Sequence, residues 1–391
     1  KKSERRDAIE TILRATKGKL FELSLKHVEA RVVQMMLRYG DSKQRSQIVG
    51  ELGPRLYDLA RLPYARHVAV AMVRLQPNKS FYESVKGKFA KLAVHANGAK
   101  VADLLFAKAE QRRHKLLSEE LLFERDVDEK MKLEKTDRVL RKMADKALVH
   151  YSLAHDLLRA QTKRSNVERL RALAPHFAEA ALHVASSKNG ALGLCDLICA
   201  ADPKTRKQIV KALKGKVQAC ANHRYGYLVL WRCLDVLDDT VFSSKHLLEP
   251  LIPTIPFCRG AARIVAWFLS APPQGSSSQK LDELEEEALL RTRPEDVSAS
   301  KKPTALRKAE LATHAKAFLD TAVQKDPVAF LTSRDSLPVL LGLSLNGALP
   351  TTLATAATAA AFVLGEDKDD DDRDMEDDDD DGDMDKDDDD R

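Results

Sequence analysis

The chain has 391 residues, is 5% aromatic, contains 16 glycines and carries a formal net charge of +5. That length admits two or three ordinary domains or one extended repeat array. Scarce aromatics and glycines beside abundant Leu and Ala disfavour sandwiches and barrels and suit helices. The five cysteines (Cys195, Cys199, Cys220, Cys233, Cys258) form no CxxC pair, so a reducing, intracellular setting is expected. No run of 18 apolar residues and no apolar leader are present, so neither a membrane span nor a secretory signal is expected. A start at Lys1 rather than methionine reads as a fragment or a processed chain.

The charge is unevenly placed. Residues 366–391 hold 19 acidic and 4 basic side chains, leaving 60 basic and 40 acidic residues in 1–365. A basic body followed by an acidic ending points to a polyanionic partner for the body and a disordered tail. The tail reads either as a solvated appendage or as an internal mimic of nucleic acid that competes for the basic surface.

In chain order, the first feature is a repeat. Gly18, Gly53 and Gly87 lie 35 and 34 residues apart, and thirteen residues after each stands a cation: Arg31, Arg66 and Lys100. The segments GKLFELSLKHVEARVVQMML (18–37), GPRLYDLARLPYARHVAVAM (53–72) and GKFAKLAVHANGAKVADLLF (87–106) share one apolar pattern, and GKVQACANHRYGYLVLWRCL (215–234) repeats it. Each predicts a short helix, a bend and a longer amphipathic helix. DSKQRSQIVGEL (41–52) and its counterpart DPKTRKQIVKAL (202–213) each open on a capping aspartate and supply a third helix. Three helices in 35 residues cannot bury an apolar face alone, so neighbours must stack into a solenoid.

Weaker units keep the register, and the cation slot then falls at 31, 66, 100, 153, 192, 228 and 263. The organisation expected is N-terminal repeats over 1–120, an inserted charged helix over 121–140, further repeats over 141–272, a linker over 273–302, a helical region over 303–365 and the acidic tail over 366–391. A helix is also expected at LDELEEEALL (281–290).

The 35-residue period, with Ala30, Arg31 and Gln34 in a small-Arg-x-x-Gln pattern, resembles pumilio-homology repeats. RVVQMMLRYGDSKQR (31–45), LLSEEL (116–121), DPKTRKQIVK (202–211), YLVLWRCLDVLDDT (227–240) and SKKPTALRKAEL (300–311) are similar to the Puf-A/Penguin family of nucleolar pumilio-like proteins. The similarity runs from residue 8 to about 364 and is most specific in the last two segments. It implies an all-α, right-handed superhelical solenoid of three-helix repeats whose second helices face RNA. It also implies a role in large ribosomal subunit assembly in the nucleolus, pre-rRNA as ligand, and ribosomal proteins or assembly factors as partners. The family continues with further helical repeats, where this chain runs into aspartates.

A base-reading repeat needs a stacking side chain and two polar groups for the base edge. Only the first unit holds the full set, Ala30, Arg31 and Gln34. The edge slot is Ala69 in the second and Asp103 in the third, an acid expected to repel phosphate. The stacking slot becomes Leu153, Leu192 and Leu228 in the middle units, side chains able to cover a base without a cation–π term. The candidate interface is therefore Lys26, Arg31, Gln34, Arg38, Arg66, His67, Lys100, His223, Arg224, Tyr227 and Arg263, acting through phosphate contacts with little sequence preference. DNA or mRNA would then bind non-specifically too. The rival readings are a sequence-specific mRNA repressor, which needs intact base-reading sets, and a protein-interaction scaffold. No P-loop, GxSxG, HExxH or dinucleotide fingerprint occurs, so no enzyme and no cofactor are expected. Cys195 and Cys199, four apart but without a second pair, read as core rather than as metal ligands, and His150 and His155, five apart, do not share a helix face.

Overall fold

The computed structural model describes residues 2–124, 128–269, 281–290 and 300–345. The alanine-rich stretch 351–364 and the acidic tail 366–391 lie outside the described residues. All regular structure among the described residues is helical. After α1 (Lys2–Ala15), the first repeat consists of α2 (Leu20–Ser24), α3 (His27–Tyr39) and α4 (Ser42–Leu52). The second consists of α5 (Leu56–Arg61), α6 (Ala65–Leu75) and α7 (Lys79–Val85), and the third of α8 (Phe89–Ala93), α9 (Ala99–Ala107) and α10 (Gln111–Leu121).

The short helix of each unit begins at the repeat glycine. Gly18, Gly87 and Gly215 adopt φ of 76°, 70° and 73°, the left-handed region that favours glycine. Gly53 departs from this with φ of −57°, because Pro54 follows and a 3-10 turn (Gly53–Arg55) replaces the bend. The third helix then clamps the turn. Glu51 accepts from the backbone N–H of Gly18 (3.0 Å) and Leu20 (2.8 Å), and Glu120 does the same for Gly87 (3.1 Å) and Phe89 (2.6 Å). These carboxylates satisfy N–H groups that open a helix and have no partner within it. Replacing Glu120 by alanine is expected to lower stability by about 1–2 kcal/mol, seen as a lower urea midpoint with an unchanged slope.

Asp41 and Asp202 cap the third helices as their sequences indicated, Asp41 in a reciprocal box with Gln44. In α3, Ala30, Val33, Met36 and Leu37 are buried while Arg31 and Arg38 are exposed, the split required by helical periodicity.

The fourth repeat holds a departure from expectation. The charged helix expected as an insertion over 121–140 is α11 (Glu129–Asp145), which packs against α12 (Ser152–Arg164) and α13 (Val167–Phe177). It fills the first-helix position in lengthened form, burying Thr136, Val139, Leu140 and Met143. The fifth repeat has α14 (Ala181–Val184), α15 (Lys188–Ala200) and α16 (Pro203–Leu213). The sixth has α17 (Val217–Asn222), α18 (Gly226–Val236) and α19 (Thr240–Ser243), which continues through a π turn (Ser244–Leu248) into α20 (Glu249–Leu251).

The seventh repeat is interrupted. A 3-10 segment (Ile252–Phe257) and α21 (Arg259–Leu269) supply its first two helices. The span 273–302 expected as a linker contains α22 (Glu283–Leu289), which packs on α15 and α18. Next, α23 (Thr304–Lys325) packs on α21, on Ile252–Phe257 and on the π turn of the sixth repeat, the neighbours of a third helix. What reads in the sequence as the start of a separate C-terminal region thus completes the seventh repeat. Finally α24 (Pro327–Thr332) and α25 (Leu337–Leu345) begin another unit, α25 lying on α21. The second helices α3, α6, α9, α12, α15, α18, α21 and α25 pack each on the next, forming one face of an all-α solenoid.

Candidate nucleic-acid interface

On the first three repeats the expected cations stand on neighbouring second helices. Arg31 is exposed on α3. Gln34 is half-buried beside it and donates to the Ala30 carbonyl (3.1 Å), so its amide is partly engaged by its own helix. Lys26 is exposed at the start of α3, 3.8 Å from Glu29, and Arg38 is exposed with its guanidinium over the Tyr39 ring. Arg66 on α6 is half-exposed and donates to the Asn97 side chain (2.7 Å), which is itself tied to the Arg61 carbonyl. Its neighbour His67 has its pKa held below the ordinary value, first by partial burial and then by the Arg66 charge. Its ring is therefore neutral near pH 7 and adds a hydrogen-bonding group rather than the charge expected of it.

Lys100 on α9 lies over the Tyr151 ring and 3.5 Å from Asp103. Asp103 proves different from a phosphate-repelling surface acid. It is buried and accepts from the Ser152 hydroxyl (2.7 Å) and the Leu153 N–H (3.1 Å), holding the start of α12 in the next repeat. The stacking slots of the middle repeats also differ from expectation. Leu153, Leu192 and Leu228 are 1%, 2% and 0% exposed, so they are core residues and cannot cover a base from outside.

The C-terminal candidates separate into two groups. His223 and Arg224 are exposed, Arg224 over the Tyr225 ring. His223 Nδ1 accepts from the N–H groups of Tyr225 and Gly226, capping α18, and His95 does the same for Asn97 and Gly98 before α9. A histidine three or four residues before a helix start thus reads as a cap, a signal present at both positions. Tyr227 and Arg263 instead face α22. Glu285 accepts from Arg263 Nε (2.7 Å) and Nη2 and from the Tyr227 hydroxyl (3.2 Å). Burial first, and then the Glu285 charge, push the Tyr227 pKa up, so the phenol stays protonated and donates. Sequence reasoning missed Arg159, Lys163 and Arg232, which face the same helix.

Cys195 and Cys199 are buried in α15, and burial pushes the Cys195 thiol up to about 12, consistent with packing rather than with chemistry. Among the described residues no group of three or more His, Cys, Asp or Glu could hold a metal ion, and no helix is long and apolar enough to cross a membrane.

No protein-family model matches the chain. Pumilio homolog 3 of Homo sapiens is 24% identical over 393 residues, covering 92% of this chain and 59% of the human protein. Protein penguin of Drosophila melanogaster is 27% identical over 230 residues, or 57% of this chain and 29% of that protein. Pumilio homology domain family member 6 of Saccharomyces cerevisiae is 24% identical over 254 residues, 59% of this chain and 39% of that protein. The chain therefore spans under two thirds of the length of each of these relatives. The crystal structure of human Puf-A matches with a TM-score of 0.75 at 22% identity, covering 88% of this chain and 71% of that one, and Puf-A has also been solved in complex with DNA. Over most of its length the chain is similar in sequence to human Pumilio homolog 3, and its all-α solenoid is similar in fold to Puf-A.

Proposed function

We propose that the chain is a nucleic-acid-binding protein that holds RNA by its backbone, with little sequence preference, along the second helices of its first three repeats. The observation that carries this reading is the row Arg31, Arg66 and Lys100 on the adjacent helices α3, α6 and α9. Cations at a regular spacing suit a phosphate chain, and each phosphate they neutralise releases counterions. The pumilio names of the relatives and the Puf-A complex with DNA support the same class of ligand. We further propose pre-rRNA as the RNA, large-subunit assembly as the process, ribosomal proteins or assembly factors as partners and the nucleolus or nucleus as the place. These rest on the resemblance to the Puf-A/Penguin family. A sequence-specific repressor is disfavoured because the edge slots Ala69, Asp103, Cys195 and Trp231 are buried and cannot reach a base.

The test is the triple charge reversal Arg31→Glu, Arg66→Glu, Lys100→Glu, measured with unrelated RNA and DNA oligomers at several salt concentrations. The parent is expected to bind all of them similarly, and the variant to lose about 2 units of salt slope, at roughly 0.7 per cation on a single strand. A strong preference for one motif, or affinity untouched by the reversal, would refute the reading.

A further inference from the structure

The segment 281–290, LDELEEEALL, carries five acids and lies on the second-helix face of the C-terminal repeats. Asp282 and Glu285 form a reciprocal capping box that starts α22, and Leu281, Ala288 and Leu289 are buried and anchor it. Further polar contacts run from it to cations and one tyrosine of the solenoid. Glu285, 1% exposed, takes Arg263 and the Tyr227 hydroxyl. Glu287 takes Arg159 and, at 3.4 Å, Lys163. Arg232, 0% exposed, donates to the carbonyls of Ala288 (2.6 Å) and Leu289 (2.8 Å), where the helix dipole is negative. Arg159 is also held by Asp196 at 2.7 Å and Arg232 by Asp235 at 3.0 Å, so both guanidiniums are fixed from beneath and aimed at the segment.

These groups come from α12, α18 and α21, members of the same face that presents Arg31, Arg66 and Lys100 at the other end. What meets them is a short run of carboxylates and carbonyl oxygens, the chemistry a phosphate chain would offer. At the open side of the contact, Lys188, His223, Arg224 and Arg259 line a hollow shared with Asp282, Glu283 and Glu285. The repeat does not need the segment for closure, because α23 supplies its third helix. Buried ion pairs contribute little net stability against well-packed apolar residues, so a stabilising strap would not need five acids.

We propose that Arg159, Lys163, Tyr227, Arg232 and Arg263 form a second binding track for single-stranded nucleic acid, and that residues 281–290 occupy it as an intramolecular polyanion mimic. This rests on the nucleic-acid reading of the first three repeats. While the segment is docked, nucleic acid is confined to the N-terminal track, and only a long strand at saturation displaces the segment in the parent. When the segment is displaced, one strand can run along both.

The experiment compares the parent with two variants, E285Q/E287Q and a replacement of 281–290 by ten Gly and Ser residues, using oligouridine of 8 and 24 nucleotides. The parent should bind the two lengths with similar affinity. The replacement variant should gain about tenfold for the 24-mer alone, with a salt slope steeper by about 3 units from Arg159, Lys163, Arg232 and Arg263. A peptide of sequence 281–290 added in trans should reverse the gain. A replacement variant that melts as the parent does but binds the 24-mer with unchanged affinity and slope overturns the proposal. Should both variants unfold, hydrogen exchange on the parent decides. Amides of 283–289 exchange faster with saturating 24-mer if the segment is displaced, and unchanged exchange refutes it. If the parent binds and the triple reversal weakens it while the strap variants gain nothing, the strap inference fails alone. If neither parent nor strap variants bind, both readings fail.

Discussion

Replacing Arg206 by methionine lowers the unfolding free energy by about 3–5 kcal/mol, measured as a shift in the denaturant midpoint. Arg206 is 1% exposed at the start of the third helix of the fifth repeat. Its Nε donates to the Ile198 carbonyl (2.9 Å) and its Nη2 to that of Cys199 (2.5 Å), closing the last turn of α15. Its Nη1 reaches the Val236 carbonyl (2.6 Å) at the end of α18 and the Ser300 hydroxyl (2.7 Å). One guanidinium therefore ties two second helices to the segment that re-enters the seventh repeat. Burial lowers its pKa, yet an arginine stays charged at any pH the fold meets. Methionine keeps most of the stem's volume and removes the donors, so the buried Ile198 and Cys199 carbonyls lose this partner at about 1–3 kcal/mol each before relaxation, while the Val236 carbonyl still accepts from the Ser300 hydroxyl (2.6 Å). Arg45 occupies the same position in the first repeat and donates to the Leu37 and Arg38 carbonyls, but it is only half-buried. Water can replace it there, so Arg45→Met costs about 1 kcal/mol. Equal costs at the two sites would refute the burial argument. RNA affinity should be unchanged in both, since neither side chain faces the proposed track.

The shared arginine shows what the sequence could and could not convey. The alignment of 41–52 with 202–213 was visible, and so was the helix that each forms, because capping aspartates and apolar spacing are local signals. The role of Arg45 and Arg206 was not visible, because their partners are carbonyls on another helix. Repeat glycines were legible for the same local reason, and Gly53 misled only in its backbone angle. The clamps Glu51 and Glu120 stand 33 residues after Gly18 and Gly87, yet Leu248 holds that place after Gly215, so no period announces them. The seventh repeat was hidden because its third helix begins 35 residues after its second ends. The docking of 281–290 was hidden because its partners are remote: Arg159 lies 128 residues before Glu287. Slot leucines such as Leu192 looked available to a base because burial by neighbouring repeats is a property of the stack, not of the unit.

The base-edge slot of the sixth repeat makes that last point testable. Trp231 stands sixteen residues after Gly215, as Gln34 does after Gly18, and an aromatic there could be taken for a stacking platform. It is 0% exposed and meets Trp267 edge-on, with ring centroids 5.6 Å apart and planes at 65°. Trp231→Ala is expected to cost about 3–5 kcal/mol, since a large ring leaves a packed interior that collapses only in part. Trp231→Phe should cost far less, within about 1.5 kcal/mol. The indole Nε1 finds no hydrogen-bond partner among the described residues, so losing that donor offsets part of the lost packing. Trp231→Gln separates a core role from a reading role. If the slot read bases, glutamine would add an edge-binding amide and a preference for adenine-containing RNA. Because the slot is core, the amide is buried without partners, stability falls at least as far as with alanine, and no base preference appears.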